Sequence, residues 1–308
     1  MNSTTKVLLS SSPDNLRAAL AAYKSAGTVE AEYGDVLVEG HFDPDDPVDR
    51  TDDQHTLAHH GSRSTNPPPC LAKNRNLETY GAFGAIGLSH VDLDALGGVL
   101  AFMGRRPHDV EVEKFWRLAA WVDINGPHRL DEYSAGAAAR EMLFAFWAWS
   151  EKNKQYAPRD GSVLDITEYV EKAETALHAI LGGDKAMLEA GRAFEAREDA
   201  LNRSSFVLES GGVIVRSSES FCNHLYATPN GKAALAVVSH NPKTMAVTIS
   251  LAGPIEGVNC RDIAVDLWGP EAGGHAGIAG GPRTGLDPEE AARAASVMRA
   301  AILGCRKT

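Results

Sequence analysis

Apolar and polar positions follow two rhythms in this chain, and the change falls near residue 200. Before it, the regular stretches repeat every three to four residues, the period of a helix with one buried face. Pro13-Asp14-Asn15 opens such a stretch, LRAALAAYKSAG, which Gly27 stops. DVLVEG at 35–40 is a short apolar run closed by glycine and predicts a buried strand. From Tyr80, GAFGAIGLSH is an apolar run ending in polar residues, and DALGGVLAFMG continues as a helix. Further helices are predicted at about 110–122 and 131–152. ITEYVEKAETALHAIL and AMLEAGRAFEAREDAL carry the same period through 163–203. After that, SFVLES, GVIVRSS, AALAVVSH and MAVTISLAG are short β-rich runs bounded by Gly, Asn and Pro. DPEEAARAASVMRAAIL closes the chain as a helix, with Asp287, Pro288 and two glutamates at its start.

This texture predicts an α/β domain at 1–162, a helical connector at 163–203 and a small α+β domain at 204–308. A chain of 308 residues is long enough for two cores. Between them the elements leave an acidic, proline-dotted stretch at 41–70 that fits neither period and holds four of the eleven histidines. A long irregular loop inside a compact domain is usually functional or disordered.

Charge narrows the ligand. A net charge of −11 argues against a nucleic-acid duplex, which needs a basic surface. A short nucleotide stays compatible, because a bound divalent ion supplies local positive charge. The four cysteines (Cys70, Cys222, Cys260 and Cys305) lie far apart with no CxxC pair, which argues against a disulfide framework or thiolate zinc site and fits a reducing compartment better. The N-terminal residues lack a secretory pattern, and FAFWAW at 144–149 is too short and too closely flanked by charge to span a bilayer. The expectation is a cytoplasmic, soluble protein without a membrane partner; a homodimer is left open.

The sharpest chemical signal is Ser89-His90-Val91-Asp92-Leu93-Asp94-Ala95-Leu96-Gly97-Gly98. His, Asp and Asp at i, i+2 and i+4 leave a strand; in extended geometry all three side chains point one way. One imidazole and two carboxylates suit a divalent ion such as Mn²⁺, Mg²⁺ or Zn²⁺. The bland alternative is that Asp92 or Asp94 only caps the helix that follows. Asp123 ends another apolar run, and Leu57-Ala58-His59-His60-Gly61 places two histidines beside a glycine, downstream of Asp43. Seven of the eleven histidines fall between 41 and 128, His41, His55 and His128 among them. Two metals bridged by a carboxylate need several such ligands.

A second constellation is Glu271-Ala272-Gly273-Gly274-His275-Ala276-Gly277-Ile278-Ala279-Gly280-Gly281-Pro282-Arg283. Glycines permit positive φ and close backbone approach, so their N–H groups can cradle an anion. His275 and Arg283 could add donors to a phosphate or carboxylate. The alternative is an ordinary surface loop.

Together these segments resemble the Asp-His-His (DHH) phosphoesterases. SHVDLDALGG is similar to that family's first motif in its HxDxDGxxS form. The stretch from Ala234 to about Gly285 resembles its associated C-terminal domain, in which a strand and a short helix precede a GGGHxxAAG loop, here GGHAGIAGG. Both occur in the family's order and cover most of 80–285. The resemblance implies a parallel-sheet N-terminal domain and two Mn²⁺-type ions. It also implies an activated water that cleaves a phosphate ester in a small, anionic, nucleotide-like substrate. His90, Asp92, Asp94 and Asp123 become the leading ligands, joined by His59, His60 and Asp43, with Asp92, Asp94 and His60 catalytic. Gly273, Gly274, His275 and Arg283 become substrate-binding. Two departures stand out. Ala58-His59-His60 precedes the first motif and has alanine where the family has aspartate. Ser250-Leu251-Ala252 lacks the arginine of the family's Ser-x-Arg, for which Arg261 or Arg283 would substitute. The alternatives are a hydrolase or lyase of a non-phosphate bond, or a non-catalytic nucleotide-binding protein.

Overall fold

The computed structural model describes residues 5–23, 29–30, 36–39, 54–57, 68–80, 82–88, 90–158, 160–274, 276–282 and 285–305. The chain is mixed α/β and divides into two compact units: Met1–Ile124 with Tyr133–Phe194, and Asn125–Glu132 with Glu195–Thr308.

The first unit runs β1 (Lys6–Leu9), α1 (Pro13–Ala21), β2 (Val29–Glu30), β3 (Val36–Glu39), β4 (Gln54–Leu57), α2 (Leu77–Tyr80), β5 (Ala85–Leu88), α3 (Leu93–Phe102), α4 (Val110–Asn125, its last residue already in the second unit), α5 (Ala137–Asn153), β6 (Leu164–Asp165) and α6 (Thr167–Leu181); α7 (Lys185–Ser204) begins here and continues into the second unit. β1 pairs in parallel with β5, Leu8 opposite Gly87, while β2, β3 and β4 form an antiparallel sheet. β6 corrects the expectation of a parallel sheet. It joins β1 antiparallel over two residues, held by the Lys6–Asp165 ion pair, and leads straight into α6.

Local chemistry accounts for α1. Ser12 caps it by accepting from the Asn15 N–H at 3.3 Å, Pro13 presets the first turn, and Asp14 favours its positive end. Leu16 and Leu20 bury against Leu8 and Ala85. α3 is buried along its whole length, so it is the central helix of the unit. Fully burying each leucine-sized side chain contributes about 1.5–3 kcal/mol.

α3 reaches that depth because two of its residues are glycines. An added Cβ on Gly97 would lie 2.4 Å from the Cys70 Cβ, and one on Gly98 2.6 Å from the Pro69 Cβ. The 3₁₀ turn Pro69–Leu71 therefore seats directly on the helix.

The second unit holds β7 (Phe206–Ser210), β8 (Val213–Ser217), β9 (Ala236–Asn241), β10 (Ala246–Leu251), α8 (Cys260–Trp268), β11 (Gly273–Gly274), β12 (Ile278–Gly280) and α9 (Pro288–Cys305). Its sheet has the order β11-β12-β10-β9-β8-β7, antiparallel except between β8 and β9. Alternation divides β8: Val213 and Val215 join the core with Met298 and Ile302 of α9, and Ile214 joins Tyr226, Ala234 and Val237. Consecutive parallel strands require a crossover, here 218–235. The fully buried Arg216 pins it, donating to the Leu225 and Ala227 carbonyls while also binding Asn202 and Ser205. Among the described residues no helix is long and apolar enough to cross a membrane.

Candidate functional site

β5 delivers the chain to the carboxyl end of the β1–β5 pair, the edge at which ligand sites of open α/β sheets gather. His90 and Asp92 follow, and α3 starts at Leu93. Asp92 is the N-cap, one oxygen accepting from the Ala95 N–H at 2.8 Å and the other 3.1 Å from His90 Nε2. The capping alternative is thus realised for Asp92. It also changes the expected geometry. Because the cap starts the helix at 93, Asp94 projects from the first helical turn instead of continuing an extended run with His90 and Asp92.

Asp94 is 3% exposed. Its Oδ1 accepts from the Cys70 backbone N–H at 3.1 Å. Burial, then the neighbouring carboxylates of Asp123 and Asp92, push its carboxyl up to about 8, against the pull of the Cys70 bonds. The Cys70 thiol is raised as well, first by burial and next by Asp94. Asp123 lies half-buried in the last turn of α4, a helix that extends three residues beyond the expected stop at 122. Asp123 and Asp92 are therefore electrostatic neighbours of Asp94, and His90 is bonded to Asp92.

Three further residues belong to this setting and carried no sequence signal as site residues. Cys70 follows a proline run that fits no period. Tyr169 reads as one apolar position of an amphipathic helix; its phenol is pushed up to about 12, mainly by burial and further by Asp92, with the Ser150 side chain bonded to it. Arg106, 5% exposed, donates to the Cys70 carbonyl and to Glu113.

Carboxylates and imidazole, the residue types of Asp92, Asp94, Asp123 and His90, are the donors that hard and borderline divalent cations take. Asp94 is a carboxylate whose charge is opposed by its surroundings, and a cation would answer it. The described side chains alone form no group of three or more donors placed for one ion. Asp43, His59, His60 and His41 lie outside the described residues, as does the side chain of His55.

His128 is engaged elsewhere. It belongs to the second unit, where Nε2 donates to the Ala252 carbonyl at 2.8 Å and the ring lies 4.4 Å from that of Tyr226. Burial lowers its pKa, and the Ala252 bond opposes this.

The glycine segment is a hairpin. Gly273 and Gly274 form β11, paired with Gly280 and Ala279 of β12. His275 and Arg283 lie outside the described residues. Gly274 has φ +148° and an added Cβ would stand 2.3 Å from the Ile278 carbonyl oxygen, so the hairpin's own pairing requires a glycine there. Gly273 meets nothing within 4 Å and is exposed. The carbonyls of Ala276 and Gly277 accept from the Cys260 and Leu251 amides, so the first α8 amide is already engaged. Asn259 takes the next two. Of the proposed substitutes for the missing arginine, Arg261 sits exposed in the first turn of α8.

No family model matches the chain, and no curated protein matches it.

Proposed function

We propose that this chain is a divalent-metal-dependent hydrolase of the DHH phosphoesterase type, acting on a small nucleotide or short oligonucleotide. One observation carries the reading: a buried carboxylate, Asp94, stands at the carboxyl end of a parallel strand pair with Asp92 and Asp123 as its charged neighbours. The motifs SHVDLDALGG and GGHAGIAGG support it.

His90, Asp92, Asp94 and Asp123 would hold the metal, two Mn²⁺ ions by the resemblance, with His59, His60 or Asp43 completing the set. A bound divalent ion supplies Lewis acidity and lowers the pKa of water. The protein's own part is positional. The Ala95 N–H and His90 fix both oxygens of Asp92, and the Cys70 N–H fixes Asp94. The helix N-terminus beneath them favours negative charge. In the second unit, Gly273, Gly274, His275 and Arg283 would hold the substrate's anionic end.

The test is a screen of the purified protein with Mn²⁺, with chelator controls, against short oligonucleotides, cyclic dinucleotides and mononucleotide esters. The expected result is chelator-sensitive turnover that Asp94→Asn abolishes. Absence of both turnover and bound metal would overturn the proposal.

A second reading, a non-catalytic nucleotide-binding protein, draws on the engagement of both Asp92 oxygens within the protein. Metal content separates the two: near two ions per chain favours hydrolysis, near zero favours binding alone.

A further inference from the structure

We infer that Arg106 is the positioning residue for Asp94, acting through the backbone of Cys70; the inference rests on the metal-site reading above. Both backbone polar groups of Cys70 are committed. Its carbonyl accepts from Arg106 Nη1 at 2.9 Å, and its N–H donates to Asp94 Oδ1 at 3.1 Å. The peptide groups flanking Cys70 thus link guanidinium to carboxylate, and the direction of the N–H depends on where Arg106 holds the chain.

Arg106 is itself held from several sides. Nη2 donates to Glu113 at 2.9 Å, and the Asn74 side chain bonds both the N–H and the carbonyl of Arg106 at 2.9 Å. The guanidinium lies 5.5 Å from the centre of the Trp116 ring. Its buried Nε has no hydrogen-bond partner among the described residues. A long apolar side chain would pack against Trp116 without an unmet donor. It could not hold the Cys70 carbonyl.

The same turn is pressed onto α3 at Gly97 and Gly98, one helical turn beyond Asp94. Pro69–Leu71 is therefore clamped on two sides, by the glycine face of the helix and by Arg106. Groups that orient a ligand from behind typically change metal affinity by about 10–100-fold when removed.

The experiment measures Mn²⁺ affinity of the apo protein by calorimetry, together with melting temperature, for wild type, Arg106→Met, Arg106→Lys, Glu113→Gln and Asp94→Asn. Arg106→Met should weaken binding by at least about tenfold in protein that remains folded. Arg106→Lys should recover part of the loss through a single donor, and Asp94→Asn should remove binding. Glu113→Gln removes only the ion-pair charge at a half-exposed partner and should weaken binding in the same direction, so the test survives if Arg106→Met fails to fold. If wild type binds Mn²⁺ and the Arg106 and Glu113 variants bind it equally well, Arg106 supports structure alone and the positioning role is overturned. If wild type takes up no Mn²⁺, the metal-site reading fails and this inference falls with it.

Discussion

The Cys70 backbone N–H and the Asp94 carboxylate meet at 3.1 Å across 24 residues of chain. That contact ties the irregular segment before α2 to the first turn of the central helix, and it makes the stability and the proposed chemistry of Asp94 separable. Asparagine at 94 keeps an oxygen to accept from Cys70 and removes the repulsion with Asp92 and Asp123. Asp94→Asn should therefore match or exceed the wild-type melting temperature in metal-free buffer while losing Mn²⁺ uptake. A clear fall in stability with metal binding retained would assign Asp94 to the fold alone.

The glycine face of α3 gives a packing prediction. Alanine at 97 or 98 would intrude on Cys70 or Pro69, and overfilling a packed interior typically costs about 1–3 kcal/mol. Denaturant titration of Gly97→Ala and Gly98→Ala should fall in that range. Gly253, with nothing within 4 Å of an added Cβ, is the control and should stay near wild type. Equal midpoints for all three variants would contradict the close seating of Pro69–Leu71.

In the C-terminal hairpin, two adjacent glycines answer different questions. Gly274→Ala combines a disfavoured φ with a clash against the Ile278 carbonyl, so it should lower thermal stability whatever the hairpin binds. Gly273→Ala fits the existing backbone. If the hairpin cradles an anionic substrate, Gly273→Ala should raise KM with the melting temperature unchanged. Unaltered kinetics in the Gly273 variant would leave the hairpin without a demonstrated part in substrate binding.

The second unit should carry a histidine-linked pH dependence. His128 is neutral more readily in the fold than in the unfolded chain, mainly because burial disfavours the imidazolium. A base with a lowered folded pKa contributes stability that is present above its unfolded value, about 6.5, and lost as pH falls through the folded value. Wild-type stability should accordingly decline on acidification below that range. His128→Gln keeps a donor for Ala252 but does not titrate, so its profile should be flatter. Parallel profiles from pH 7 to 5 would remove His128 as a source.

What the sequence determined by itself is the local structure. Ser12-Pro13-Asp14 starts a helix because a hydroxyl, a fixed φ and a carboxylate satisfy its first turn without help from distant residues. The runs at 206–210, 213–217, 236–241 and 246–251 alternate or concentrate apolar residues as strands do. Asp92, Asp94 and Asp123 were legible as candidates, because carboxylates at the ends of apolar runs are brought to the edges of a core. Tertiary structure decided what those carboxylates meet. That Cys70 donates to Asp94, that Arg106 holds Cys70, and that Tyr169 feels the charge of Asp92 all depend on residues far apart in the chain. The glycines make the same division. Their chemistry marks Gly97 and Gly274 as sites of close approach, but only the folded chain shows that Cys70 occupies one space and the Ile278 carbonyl the other. Hydrogen-bond caps and side-chain periodicity act over a few residues, whereas burial and charge proximity exist only once distant segments share a core.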